Sequence, residues 1–136
     1  MIEPEKIELI HTMAYQQFVP LFVRAGLEIN ENEECPEGLI TCLKLKDCRI
    51  EKTVGAAVLV YTENVYVIKA VAVEKEYRGN GLGVMLVREI LNEAERRGAD
   101  KVFLNAKIPD FYQELGFEIY REKRLRLFLI VVPAPD

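Results

Sequence analysis

The sequence predicts an α/β (α+β) domain with one mixed central sheet, made of an antiparallel meander, a parallel β-α-β crossover and a C-terminal hairpin, flanked by helices. A run of β-branched and small apolar residues over 65–73 indicates a strand buried on both faces. From Leu82 to about Arg97 the apolar residues recur at helical spacing, and a second strand pattern follows at 101–106. A strand, a helix and a strand of these lengths form a right-handed parallel crossover.

The meander is predicted from the first half of the chain. Residues 5 to about 27 carry apolar side chains at steps of three and four, which predicts helix with a break at Pro20. Strand patterns at 39–45 and 54–61 are joined by a short charged segment, which indicates an antiparallel hairpin. A turn at 61–64 then leads into the central strand and completes three consecutive strands.

The last third of the chain predicts the hairpin. Gly98 is placed to end the long helix, and a helix of one or two turns is expected at 111–115. Apolar runs at 117–120 and 125–132 flank a short basic turn, so the chain is expected to finish as two antiparallel strands.

Composition bounds the class of protein. The chain has 136 residues, half of them hydrophobic, so we expect a single domain over 1–136 with a full core. Its 22 acidic and 18 basic residues leave a net charge of −4, which argues against nucleic acid as a partner. No apolar run has the length of a membrane span, and residues 1–5 lack the features of a signal peptide. A cytoplasmic protein without a membrane partner is expected.

The cysteines and the histidine offer little for a metal site. Cys35, Cys42 and Cys48 are odd in number, and their spacing fits no common metal pattern. Free thiols in a reducing compartment are expected instead. His11 is the only histidine, so a histidine-centred mechanism has little material and no metal is predicted.

Three glycines at alternate positions, Gly79, Gly81 and Gly83, lie between the central strand and the long helix. Glycine lets the backbone approach a ligand closely, and the first N–H groups of a helix have no intrahelical partner, so the segment predicts a phosphate site. A Walker loop would need a lysine after the glycines, and a dinucleotide loop would need glycine where Val84 stands. The remaining pattern is Arg78-x-x-Gly81-x-Gly83, directly after a strand.

This pattern resembles the acyl-CoA loop of the GNAT acyltransferase superfamily, Gln/Arg-x-x-Gly-x-Gly/Ala. A second similarity follows the crossover, where Asn105 precedes the run Phe111-Tyr112-Gln113-Glu114-Leu115-Gly116-Phe117. The superfamily carries an asparagine followed by Phe-Tyr-x-x-x-Gly-Phe at the same place. Both motifs lie in the family's order on the expected elements, and together they cover about 54–117. The resemblance implies an acetyl-CoA-dependent N-acetyltransferase.

The resemblance also implies roles for particular residues. In the family, the pantetheine arm lies between two separating parallel strands, which implies backbone contacts from Val71, Ala72 and Val73. The loop would supply N–H groups to the pyrophosphate. Tyr112 occupies the position of the family's general acid and is the implied catalytic residue. The implied acyl-CoA-binding residues are Val71, Ala72, Val73, Arg78, Gly79, Asn80, Gly81, Leu82, Gly83, Asn105 and Tyr112.

Several features depart from the family pattern or leave alternatives. The family's first strand is expected to be missing or very short, because the chain starts almost directly in a helical pattern. Many members carry a glutamate base where this chain has Val67, so the base is left open. The segment 28–37 holds five glutamates and no basic residue, which fits either a solvated loop or an acidic lip for a cationic amine. Tyr15, Tyr61 and Tyr66 could each line the acceptor site or pack in the core.

The implied reaction transfers an acetyl group from acetyl-CoA to a primary amine, expected to belong to a small molecule. One alternative is acetylation of a protein or peptide. Another is a catalytically weak acyl-CoA-binding module, which Val67 favours and Tyr112 disfavours. The oligomeric state is left open, with a homodimer among the alternatives.

Overall fold

A computed structural model describes residues 6–27, 29–105, 117–121 and 127–131, with backbone alone for Asn105 and the last two ranges. Its elements are β1 (Ile7–Thr12), α1 (Val19–Arg24), β2 (Leu39–Asp47), β3 (Lys52–Thr62), β4 (Val65–Val73), α2 (Leu82–Arg96), β5 (Val102–Asn105), β6 (Phe117–Arg121) and β7 (Leu127–Val131). Short 3₁₀ turns precede α1 at Tyr15–Phe18 and follow β4 at Lys75–Tyr77.

The described strands form one seven-stranded sheet in the order β1-β2-β3-β4-β5-β7-β6. Strands β1 to β4 are antiparallel neighbours, β4 and β5 are parallel, and β7 pairs antiparallel with both β5 and β6. Helix α2 makes the connection between the two parallel strands. The predicted fold class is confirmed, including the meander, the crossover and the terminal hairpin. The short helix predicted at 111–115 lies outside the described residues.

The start of the chain corrects the sequence interpretation. Residues 7–12 are not helical but form β1, which pairs with β2 from Ile7 opposite Asp47 to Thr12 opposite Cys42. The first strand, predicted to be missing or very short, is present with six residues, and His11 lies on it. A run this short fits the alternation of a strand as well as the period of a helix. In the structure it follows the strand pattern, since Ile7 and Leu9 both pack against the α2-side core. Pairing with β2 decides for strand.

The sheet buries both of its faces. Helix α2 packs on one face, where Leu86, Val87 and Ile90 are fully buried with strand residues such as Leu43 and Leu59. Helix α1 and the turn before it cover the other face. The buried side chains of that second layer are Tyr15, Phe18, Val19, Leu21, Phe22, Cys42, Ala56, Val58, Val60, Ala70 and Ala72. Strand β4 lies between the two layers, which explains its nearly continuous apolar sequence.

Other expectations can be compared with the described residues. Glu63 and Asn64 take positive φ values of 51° and 66° in the two-residue turn between β3 and β4, as a tight hairpin of this kind requires. The three cysteines are free thiols, as predicted, with Cys42 buried. Among the described residues, none of the helices is long and apolar enough to cross a membrane.

Candidate active site

Strands β4 and β5 separate halfway along β4. They pair from Tyr66 opposite Val102 to Ile68 opposite Leu104. The next residue of β5, Asn105, still pairs with Phe128 of β7 but has no partner on β4. Within the described chain, the β5 side of β4 therefore carries no strand beyond Ile68. This open side is the kind of edge that can pair with an extended ligand.

A β-bulge marks the point of separation. On the β3 side, Val58 pairs with Ala70 and Leu59 pairs with Ile68, so Lys69 is an extra residue in β4. The bulge changes the alternation of side chains. Ile68 belongs to the α2-side core and Val71 packs against it, whereas Ala70 belongs to the α1-side core. The bulge thus gives Lys69 a place of its own at the start of the opening.

The hydrogen-bond pattern shows which backbone groups face the opening. The N–H of Glu74 donates to the carbonyl of Val54 at 2.8 Å, which makes Gly55 and Val73 a non-hydrogen-bonded pair. Bonding alternates along an antiparallel ladder, so Ala72 bonds to β3, whereas Val71 and Val73 direct their N–H and C=O groups to the open side. Of residues 71–73, Val71 and Val73 therefore present backbone groups to the open side and Ala72 does not, and the contact with a ligand stays a prediction.

The glycine loop continues from the open edge to the start of α2. Gly79 and Gly81 have φ values of +82° and +78°, a conformation that side chains rarely adopt. A methyl group added at either glycine would meet no heavy atom within 4 Å, so backbone conformation rather than packing requires glycine. Gly81 is the N-cap of α2, and neither a capping side chain nor an acidic residue occupies the first turn. Within the described part of the chain, the N–H groups of Leu82 and Gly83 have no hydrogen-bond acceptor and are therefore available to an anion.

Two side chains of the loop donate hydrogen bonds to nearby backbone carbonyl groups. Arg78 Nε donates to the carbonyl of Val73 at 3.0 Å, which places the exposed guanidinium beside the end of the open edge. Asn80 Nδ2 donates to the carbonyls of Tyr77 and Arg78, both at 3.1 Å. These contacts point the carbonyls into the loop. The side chain of Leu82 is buried in the core, so only its backbone can reach a ligand.

A buried carboxylate ties the loop to the β2–β3 turn. Asp47 is fully buried and accepts hydrogen bonds from Arg49 Nε at 3.1 Å and Arg49 Nη2 at 2.9 Å. The Tyr77 hydroxyl donates to the same carboxylate at 2.7 Å. Tyr77 directly precedes Arg78, so this contact positions the start of the loop. Sequence reasoning missed it, because no pattern links residues this far apart in the chain.

We expect Asp47→Asn to lower the free energy of unfolding in a pH-dependent way. The hydrogen bonds from Arg49 and Tyr77 hold the pKa of Asp47 well below its usual value of about 3.9. Because the folded pKa is the lower one, the carboxylate's contribution is complete above the unfolded pKa and shrinks as the pH falls toward the folded one. Urea unfolding of both proteins should show a larger difference at pH 7 than at pH 3. An equal difference at both pH values would contradict this.

A second polar group lies on the α1 side of the bulge. The hydroxyl of Tyr15, a residue only 1% exposed, donates to Glu33 Oε2 at 2.5 Å. Lys69 Nζ lies 3.7 Å from the same oxygen. Among the described glutamates of the acidic segment, Glu33 turns inward, whereas Glu31, Glu34 and Glu37 are exposed as a solvated loop requires. The sequence signal for this group is a lysine inside an otherwise apolar strand, a signal that sequence reasoning missed.

The remaining candidate residues stand as follows. Tyr112 lies outside the described residues, and Asn105 is placed by its backbone in β5. Val67 packs against the α1-side core, so β4 presents an apolar side chain at the position of the family's base.

A cavity of about 370 Å³ borders Gly81, but its other lining residues lie along α2 and at Leu9 of β1, away from the open edge. Among the described residues, no group of three His, Cys, Asp or Glu could hold a metal ion.

The sequence of this chain matches one protein-family model and, over shorter stretches, individual proteins of known activity. The model of the acetyltransferase (GNAT) family matches residues 7–117. The GCN5-related N-acetyltransferase 2, chloroplastic, of Arabidopsis thaliana is 42% identical over 50 residues, 35% of this chain and 19% of that protein. The glucosamine 6-phosphate N-acetyltransferase of Trypanosoma brucei brucei is 38% identical over 64 residues, 46% of this chain and 43% of that protein. The chain thus matches less than half the length of these curated relatives.

Solved structures resemble the whole described fold. An acetyltransferase of the GNAT family from Staphylococcus aureus Mu50 has a TM-score of 0.73 at 16% identity, covering 93% of this chain and 98% of that one. The N-acetylglutamate synthase from Neisseria gonorrhoeae, complexed with coenzyme A and N-acetyl-glutamate, has a TM-score of 0.73 at 18% identity. It covers 92% of this chain and 35% of that one. At these identities the likeness shows the fold alone.

Proposed function

Because the family match spans residues 7–117, the chain belongs to the GNAT family of acetyltransferases, and we propose that it transfers the acetyl group of acetyl-CoA to the primary amine of a small molecule. One observation carries the proposal. The open edge of β4 runs through a glycine loop into the uncapped N-terminus of α2. An edge that can pair with amides, followed by an anion site, matches the order of pantetheine and pyrophosphate in CoA.

The donor would lie along this path. The amides of the pantetheine arm would pair with the N–H and C=O groups of Val71 and with the N–H of Val73, whose carbonyl already accepts a bond from Arg78. The pyrophosphate would accept bonds from the N–H groups of the loop and of Leu82 and Gly83. The guanidinium of Arg78 matches phosphate oxygens in charge and geometry.

The chemical step needs two proton movements. An N–C bond forms between the acceptor nitrogen and the acetyl carbon while the C–S bond breaks, and the acceptor ammonium loses two protons in total. One proton ends on the CoA sulfur and the other is released. We propose that Tyr112 donates to the departing sulfur and is reprotonated by one proton from the acceptor nitrogen. The other proton of the acceptor ammonium is released to solvent before the nitrogen attacks, so that the nitrogen has a free electron pair.

A small-molecule acceptor is supported by the relatives. Glucosamine 6-phosphate is named as the substrate of the trypanosomal enzyme, and N-acetyl-glutamate is bound in the neisserial one. We also propose one acyltransferase domain, since a single sheet holds both the first and the last described strands.

Thiol release from acetyl-CoA tests the function. The protein is mixed with acetyl-CoA and, separately, with glucosamine 6-phosphate, L-glutamate, spermidine and a peptide with a free N-terminus. We expect release well above the no-acceptor rate with at least one small amine. Thiol release with the peptide and with none of the small amines would assign protein acetylation. Binding of CoA without thiol release in the presence of any acceptor would leave only an acyl-CoA-binding module.

A further inference from the structure

Three side chains from distant parts of the chain meet where β4 leaves β5. Tyr15 comes from the turn before α1, Glu33 from the segment between α1 and β2, and Lys69 from the bulge of β4. They lie on the α1 side of the sheet, since Tyr15 belongs to that core. An acetyl-CoA molecule that extends from Gly81 along the open edge past Val71 would place its acetyl end at this point.

The Glu33 carboxylate is held in place from one side. Oε2 accepts the bond from the buried Tyr15 hydroxyl, and the ring of Tyr15 packs on Phe22 with centroids 6.4 Å apart. Burial and the adjacent Glu33 raise the pKa of the Tyr15 hydroxyl, so it stays protonated and donates at neutral pH. In the described chain no hydrogen bond reaches Oε1 of Glu33. That oxygen can accept a bond from a ligand while Oε2 stays fixed.

Lys69 is a loose partner for this carboxylate. Its Nζ lies 3.7 Å from Glu33 Oε2, whereas the Lys46–Glu51 pair is 2.6 Å apart. The Lys69 side chain is 28% exposed and that of Glu33 is 26% exposed, so both reach solvent from a mostly enclosed position. A long, half-buried pair of this kind contributes little stability. An apolar residue would serve the strand equally well, which points to a role outside folding.

We propose that Glu33 and Lys69 form the acceptor subsite, and that the acceptor is a primary amine that also carries an anionic group, either carboxylate or phosphate. The inference rests on the proposed acetyl transfer. The ammonium of the acceptor would bind Oε1 of Glu33. One carboxylate would then face two cations in a half-buried place, which is unfavourable in low dielectric. An anion on the acceptor, bound by Lys69, restores the balance of charge.

The test compares acceptors with and without an anion, glucosamine 6-phosphate with glucosamine and L-alanine with L-alaninamide, and each kcat/KM is referred to the concentration of neutral amine. The first pair tests a phosphate and the second a carboxylate. In the wild-type protein we expect kcat/KM to be about tenfold or more higher for the anionic member of at least one pair, the equivalent of one well-placed charge contact. Lys69→Met should abolish that preference by lowering kcat/KM for the anionic member, whereas kcat/KM for the neutral member should not fall and should rise if the repulsion between Lys69 and the acceptor ammonium is relieved.

Lys44→Met is the matched control. Lys44 lies on β2 opposite Ala56 of the α1-side core, so its substitution removes a lysine from the same sheet face away from the bulge. The preference should survive this change. Glu33→Gln should lower kcat/KM for both members of each pair, because both carry the ammonium. Calorimetry gives a readout without turnover: the preferred anionic acceptor should bind the CoA-loaded Lys69→Met protein about tenfold more weakly, and the Lys44→Met protein normally.

The outcomes separate the two proposals. Amine turnover with no preference for the anionic member, or a Lys69→Met protein that loses both members equally, overturns the inference and leaves the proposed function standing. A preference for spermidine over every anionic amine also overturns it, and assigns attraction of cations to the acidic segment 28–37. No thiol release with any acceptor overturns the proposed function, and the inference with it.

Discussion

Replacing Tyr112 with phenylalanine is expected to lower the turnover number about 100-fold, equivalent to roughly 2.7 kcal/mol, and to leave the affinity for CoA nearly unchanged. The substitution keeps the aromatic ring and removes only the hydroxyl. A general acid acts in the transition state, so its loss should appear in turnover rather than in donor binding. Turnover is measured by thiol release at saturating acetyl-CoA and acceptor.

Tyr61→Phe is the matched control, because Tyr61 is 42% exposed at the end of β3 and its loss should change turnover less than twofold. The pH dependence gives a second readout. The wild-type protein should lose activity at high pH as its acid is deprotonated, and this decline should be absent from the Tyr112→Phe protein. Turnover within about twofold of wild type would contradict the proposed role, and the thiolate would then leave unaided or through water.

Replacing Gly81 with alanine is expected to weaken CoA binding by tenfold or more. The added methyl group would project from the residue that caps α2, where the protein backbone is proposed to contact the ligand. The positive φ of this residue adds strain of about 1–2 kcal/mol. Alanine is preferable to valine here, because a β-branched residue is a severe outlier at φ of +78°. Isothermal titration calorimetry with CoA measures the change.

Gly98→Ala separates the strain from the lost contact. Gly98 follows the other end of α2, has φ of +88° and likewise has no heavy atom near an added methyl group. Both variants should lose similar thermal stability, because the backbone strain is alike. Only Gly81→Ala should lose CoA affinity. If the two variants bind CoA equally well, the ligand does not approach Gly81.

The crossover and its loop could be predicted because their signals are local. A buried strand, glycines at alternate positions and a helical period stand side by side over 65–96. β1 could not, since six residues fit both periods and the decision came from pairing with β2. The helical prediction for this region holds only for the short turn at Tyr15–Phe18 and for α1.

The parts of the candidate site that escaped prediction depend on relations between segments. The bulge at Lys69 is a shift in register between β3 and β4, which neither strand encodes alone. The same holds for the phase of hydrogen bonding that turns Val71 and Val73, but not Ala72, to the open side. The contact between Asp47 and Tyr77 joins two turns through a folded sheet. The sequence allows Tyr15 either a core position or a place in the acceptor site, and in the structure its ring packs in the core while its hydroxyl reaches Glu33.

The most direct measurement of the central claim is an amide NMR titration of the ¹⁵N-labelled protein with CoA. We expect the largest shifts at the N–H groups of Val71, Val73, Gly81 and Gly83, which face the open edge or cap the helix. The amide of Ala72, bonded to β3, serves as an internal reference and should move much less. CoA binding that shifts Ala72 but not Val71 and Val73, or that leaves the loop amides unchanged, would contradict the account.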